Sequence, residues 1–182
     1  MYPITRIFAL IAVGLSLTVG LQAQSTAIPV GHIAMVGQDF NVYVVGGDFT
    51  EPNALTSDAD SSRHYQFPTW STDGRLAFFC CDARFSPRLS LEVYATSPDL
   101  TATKLLYRAE NEAYTYSSWS PANCDDGDNC RDLALLLTRP SASFKVELLR
   151  QNAQGITQRT AGTGAPFYFS WNQDGRRMVW HR

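Results

Sequence analysis

The residues of this 182-residue chain that could do chemistry are its carboxylates, histidines and cysteines. Asp73 and Asp174 each precede a glycine, as Asp73-Gly74 and Asp174-Gly175. A third acidic concentration is the loop Asp125-Asp126-Gly127-Asp128-Asn129, with Asp132 beyond it. General acid–base catalysis needs a second group within hydrogen-bond reach, and neither Asp73 nor Asp174 has a histidine or another acid beside it in the chain. The three histidines, His32, His64 and His181, lack metal-ligand spacing. The chain contains no Gly-x-Ser-x-Gly, no His-Glu-x-x-His and no phosphate-cradling glycine loop. The acidic loop offers the oxygen ligands calcium takes, but its spacing does not supply the glutamate that a calcium loop carries at its twelfth position. A solvated turn is the expectation there, and calcium the alternative. No catalytic residue, metal ligand or cofactor is expected.

Four cysteines fall in two close pairs. Cys124 and Cys130 flank the five-residue acidic loop, and closing so short a loop ties a polar excursion at its base. A Cys124–Cys130 disulfide is therefore expected. Cys80 and Cys81 are adjacent at the end of a strand-like run. Successive strand residues face opposite sides of a sheet, which argues against a bond between them and favours buried thiols. A link from either one to a distant cysteine stays open.

The elements that must position these residues repeat along the chain. Trp70, Trp119 and Trp171 recur at a spacing of roughly fifty residues, in FPTWSTDGRLAFF, YSSWSPANCDDGDNCRDLALLL and YFSWNQDGRRMVW. Each opens a unit: a strand ending in tryptophan, a turn, an apolar strand, a third strand and a short polar strand. Candidate strands are His32–Gly37, Phe40–Val45, Gln66–Trp70, Leu76–Cys80, Leu91–Ala95, Lys104–Tyr107, Tyr114–Trp119, Leu133–Thr138, Phe144–Arg150, Ile156–Thr157, Phe167–Trp171 and Arg177–His181. Unit boundaries fall near 66, 115 and 167. No helix-period stripe of useful length appears outside the N-terminal region, so the fold class is all-β. A repeat of this length with four short strands points to β-propeller blades of four-stranded antiparallel sheet.

Within such a unit the singled-out residues read as structural. Gly74 and Gly175 tolerate the positive φ of a tight turn, and Asp73 and Asp174 can bond back to its backbone. Trp70, Trp119 and Trp171 fill the space where two sheets meet face to face. Leu76–Phe79 and Leu133–Leu137 are nearly continuous apolar runs, suited to strands buried on both faces. Tyr43, Tyr94 and Leu148 should pack on the neighbouring blade while the polar residues flanking them face water.

The set PTWSTDGRLAFF, SSWSP and FSWNQDGRRMVW resembles the propeller repeat of TolB-like proteins, a WD-repeat-like unit. Its core is Trp-Ser-Pro-Asp-Gly followed by an apolar strand, then Ile-Tyr, then Leu-Thr. Trp70-Ser71-Thr72-Asp73-Gly74 has threonine where proline is usual. Trp171-Asn172-Gln173-Asp174-Gly175 departs at two places. Trp119-Ser120-Pro121 matches and then diverges through the Cys124–Cys130 insertion. Val42-Tyr43 and Val93-Tyr94 fit the Ile-Tyr position, and Leu55-Thr56 fits Leu-Thr. The resemblance spans 32–182 and implies about three blades, an incomplete or open arc, whereas closed propellers use about four to eight. Three arrangements stay open: a fragment of a longer propeller, self-association of copies that closes the ring, or a small open stack. The fragment is favoured, because a terminal repeat should be polar outside and Met178-Val179-Trp180 is not.

The remaining features bound location and partners. Arg6 is the only charge in residues 1–24, and Ile7 to Leu21 is apolar or small apart from Ser16 and Thr18. This reads as a signal peptide cleaved after Ala23 (1–23), with cleavage after Ala27 second, followed by a linker over 24–31. The run is shorter than the roughly 20 residues that span a bilayer, so no membrane span is expected after its removal. The product would be periplasmic, cell-envelope or extracellular. With a net charge of −2 and no basic block, phosphate neutralisation of nucleic acid is disfavoured. Two functions remain. One is a non-catalytic module whose loops bind a protein, peptide or glycan; the resemblance implies envelope contacts. The other is the N-terminal propeller of a prolyl-oligopeptidase-like serine peptidase, with catalysis in a domain outside these residues.

Overall fold

The structure is a computed structural model, and it describes residues 31–47, 51–81, 90–125, 130–139, 143–152, 154–164 and 168–181. The expected leader (1–23) and all of the linker but Gly31 lie outside the described residues.

The fold is all-β, a row of antiparallel sheets forming an open, propeller-like arc. The first sheet holds β1 (Ile33–Val36), β2 (Val42–Val45) and β3 (Asn53–Ala54). The second holds β4 (Gln66–Trp70), β5 (Leu76–Cys80), β6 (Ser90–Thr96) and β7 (Thr103–Glu110), in chain order. The third repeats that order with β8 (Ala113–Trp119), β9 (Arg131–Thr138), β10 (Phe144–Asn152) and β11 (Gly155–Gly164). The fourth is the pair β12 (Phe169–Trp171) and β13 (Met178–Trp180). Every neighbouring pair is antiparallel, as short turns between consecutive strands require. Among the described residues, no helix is long and apolar enough to cross a membrane.

Apolar side chains fill the three seams between sheets. Val42 and Val44 meet Leu76 and Phe78 at the first seam. Phe79, Val93 and Leu91 meet Trp119, Leu133 and Leu135 at the second. Leu136, Val146 and Leu148 meet Phe169, with Trp171 and Met178 beside them, at the third. β5 is buried along its whole length, and Leu133 to Leu137 of β9 likewise. Their sequences are near-continuous rather than alternating because each sheet is covered on both faces.

Three expectations need correcting. Ile156–Thr157 understates the outer strand, which runs ten residues as β11. One of its glycines marks close packing: a Cβ on Gly162 would lie 2.8 Å from Trp180 Nε1. Tyr94 and Leu148 do pack on neighbouring sheets, though on opposite faces, whereas Tyr43 joins no seam and its hydroxyl donates to Asp39 Oδ2 at 2.7 Å. Tyr94 opposes Phe78 and turns toward the first sheet, whereas Glu147, opposing Leu135, occupies the tyrosine register in the third. Leu148 faces the fourth sheet. The polar flanks do not face water either: Glu92, Lys145 and Glu147 are only 8 %, 5 % and 1 % exposed. They lie in the seams and are held there by ion pairs.

Candidate functional site

The tryptophans set the geometry. The Trp119 indole N–H donates to Thr69 O at 3.0 Å, and the Trp171 indole N–H donates to Ser118 O at 3.2 Å. Each acceptor is the residue immediately before the previous sheet's tryptophan. The same bond is thus made twice, and it joins the first strands of successive sheets into the inner edge of the arc. Trp70 faces the first sheet, its ring 6.3 Å from that of His32.

The Asp-Gly turns lie at the ends of these seams. Asp73 accepts from Ser71 Oγ, pairs with Arg75 Nη1 at 2.7 Å and lies 3.5 Å from Arg131 Nη2 of the third sheet. Thr72 Oγ1 donates to Pro121 O. Asp174 accepts from Arg176 N at 2.8 Å. Gly74 and Gly175 have φ of 89° and 70°. A Cβ on Gly175 would collide with the Ser120 hydroxyl, and one on Gly74 would lie 2.9 Å from Pro98 O. Asp73, Thr72 and Gly175 tie sheet to sheet, whereas Asp174 closes its own turn; the arrangement brings no histidine to either aspartate among the described residues. Cys124 and Cys130 are bridged, with Cα atoms 5.3 Å apart. Of the acidic loop, 126–129 lie outside the described residues. Asp132 is engaged elsewhere, accepting from Arg150 Nε at 2.8 Å and Nη2 at 3.0 Å.

The inner edge carries a feature that the sequence reading missed. The residue three before each tryptophan is aromatic: Phe67, Tyr116 and Tyr168. All three are exposed, at 61 %, 41 % and 56 %. The Tyr116 and Tyr168 rings stack with centroids 6.4 Å apart. Phe67 stacks on Phe79 and Tyr114, which themselves lie 3.9 Å apart. In β4 the register slips between Gln66 and Thr69, and Phe67 takes φ of 49°. A bulky residue rarely adopts that conformation, and here the bulge pushes the ring outward instead of into the seam. β8 slips in the same stretch, between Tyr114 and Tyr116. The signal is present in the repeat itself, as Phe-Pro-Thr-Trp, Tyr-Ser-Ser-Trp and Tyr-Phe-Ser-Trp, where the larger indoles dominate the pattern.

Beside Phe67 opens a cleft of about 230 Å³ at the second seam, lined by Gln66, Tyr114, Cys81 and Glu112 among others. Behind it lies an ion network. Lys145 Nζ donates to Glu112 Oε1 and to the Tyr107 hydroxyl, both at 2.8 Å. Arg139 Nε reaches Glu112 Oε1 at 3.2 Å, and Tyr107 donates to Glu112 Oε2 at 2.5 Å. Burial alone would raise the Glu112 carboxyl, but the bonds from Lys145 and Tyr107 outweigh it and hold it below its ordinary range. Burial pushes the Tyr107 hydroxyl up to about 12, with its bond to Glu112 adding to the shift.

A second network occupies the first seam. Glu92 accepts from Tyr94 at 2.6 Å and pairs with Arg63 at 3.1 Å and Arg108 at 2.6 Å. Next to it, Cys80 and Cys81 are bonded to each other, against the strand-alternation argument. The physical reason is local. Cys81 has φ of 76°, so β5 ends at Cys80 and the backbone turns the second sulfur onto the side of the first.

The class these observations define is an open, propeller-like all-β repeat with an aromatic inner edge. No protein-family model matches the chain, and neither does any curated protein.

Proposed function

We propose that this chain is a non-catalytic, exported binding module that takes an extended peptide or glycan of a partner along its inner edge. The observation that carries this reading is the row Phe67, Tyr116 and Tyr168, exposed three residues before the tryptophan in each of three successive sheets, in β4, in β8 and just ahead of β12. Flat ring faces in a row offer apolar stacking area to proline or pyranose faces. Exposed aromatics in register, one of them at a positive φ, are features that folding alone does not require. The TolB-like resemblance of the repeat and the leader-like residues 1–23 support a place in the cell envelope.

The test is binding of the full chain to immobilised glycan and peptide arrays. The triple variant Phe67→Ala/Tyr116→Ala/Tyr168→Ala should lose at least about tenfold in affinity for whatever the parent retains. The variant should keep the parent's β circular dichroism while its urea midpoint falls modestly, because Phe67 stacks on Phe79 and Tyr116 packs against Phe169 at the mouths of the seams. A triple variant with the parent's array profile overturns the reading.

A further inference from the structure

We infer that Cys80, Cys81 and Glu92 form a site for a thiophilic divalent cation such as zinc, opened by reduction of the Cys80–Cys81 bond. Three donor atoms, the two sulfurs and a Glu92 carboxylate oxygen, all lie within 4.8 Å of one another. Glu92 Oε2 is 3.4 Å from Cys80 Sγ and 3.6 Å from Cys81 Sγ. Tetrahedral zinc with a thiolate at about 2.3 Å and a carboxylate oxygen at about 2.0 Å places those two atoms about 3.5 Å apart. Two of the three edges of the donor triangle therefore already have the required length. The third edge, sulfur to sulfur, opens to about 3.8 Å in such a site, a separation that only the broken bond allows.

Adjacent cysteines in a regular strand could not do this, since their side chains diverge. The positive φ at Cys81 is what brings both sulfurs to one side. The surroundings suit a charged site. Arg63 Nη1 stands 3.4 Å from Cys80 Sγ and stabilises thiolate there. Arg63 and Arg108 also fix the carboxylate of Glu92, as groups around a metal ligand commonly do. Cys80 is fully buried and Cys81 partly exposed, leaving a path for the ion.

The chemistry balances in two steps. An external dithiol gives two electrons and two protons to the disulfide, becoming a disulfide itself and leaving two thiols on the protein. The cation then displaces one proton from each thiol, so two protons leave per metal bound.

Cadmium is the probe, because its thiolate complexes absorb in the ultraviolet. The full chain is reduced with a dithiol, desalted without oxygen and titrated with cadmium. One ion per chain should bind after reduction and none before, with two protons released. Cys80→Ser and Cys81→Ser should each abolish the charge-transfer band, and Glu92→Gln should weaken binding at least tenfold. Cys124→Ser should leave the band intact, which separates this pair from the other reduced disulfide. The inference is overturned if the reduced chain, still showing its β circular dichroism, binds no cadmium. It is equally overturned if the band survives Cys81→Ser or vanishes in Cys124→Ser. Should Cys80→Ser fail to fold, the partly exposed Cys81 decides the matter.

Discussion

Trp119 concentrates two kinds of stabilisation in one side chain. Its ring fills the second seam and its N–H satisfies a backbone carbonyl of the preceding sheet. Removing a buried ring of this size costs about 3–5 kcal/mol, so Trp119→Ala should lower the unfolding free energy by that amount in urea titrations. Trp119→Phe keeps most of the packing and leaves Thr69 O without its donor, at a cost of about 1 kcal/mol for the bond. A loss under about 1 kcal/mol for the alanine variant would contradict the packing role. The tryptophans were legible in the sequence because indole rings recurring at a fixed period suit the space between stacked sheets. The state of Cys80 and Cys81 was not. It depends on one backbone dihedral, and alternation along a strand gives no warning of a residue that leaves it.

At the scale of elements, charged residues in β6 and β10 are the feature a residue pattern misreads. In FKVELLR, Lys145 and Glu147 look like a solvent face, yet they turn into the second seam with Leu149. Whether a strand face is wet depends on what packs against it, and sequence spacing says nothing of that neighbour. The register shows the same limit: Glu147 stands where Tyr94 stands in the preceding sheet, an equivalence visible only through pairing with Leu135 and Phe78. Buried charges of this kind make stability depend on pH. Glu112 and Glu92 both lie below the ordinary glutamate value of 4.5; burial opposes this, and their hydrogen bonds and ion pairs prevail. A carboxylate depressed in the folded state contributes stability that is present above its unfolded value and lost as pH falls through its folded value. The urea midpoint should therefore drop as pH is lowered from about 5, and Glu112→Gln should flatten that slope. Lys145 is raised above 10.5, against its burial and by virtue of Glu112 and Tyr107. Its contribution stays complete through the acid range and is lost only when pH rises past that value.

Across the whole molecule, protection should follow how many faces and edges each strand has covered. β5 and β9 are central in their sheets and buried on both sides, while β13 borders a two-stranded sheet and Val179 is exposed. Amide exchange should be slowest in β5 and β9 and fastest in β12 and β13, because local opening tracks the packing a segment would forfeit. Equal protection in β9 and β13 would contradict a stack held together seam by seam. The all-β class and the repeated sheets were readable from alternating patterns and turn chemistry. The aromatic row repeats in the sequence with the tryptophans, but its exposure depends on the local backbone, including the bulges in β4 and β8.

The indole bonds also have a direction. Trp119 and Trp171 each point back to the carbonyl just ahead of the preceding tryptophan. Shortening the chain from its C-terminal side therefore deletes a donor together with the contact it makes, and earlier junctions stay closed. Trimming from the other side strips an acceptor from a ring that remains. At these two junctions a chain emerging N-terminus first meets an acceptor strand already made, so order of synthesis and order of assembly coincide there.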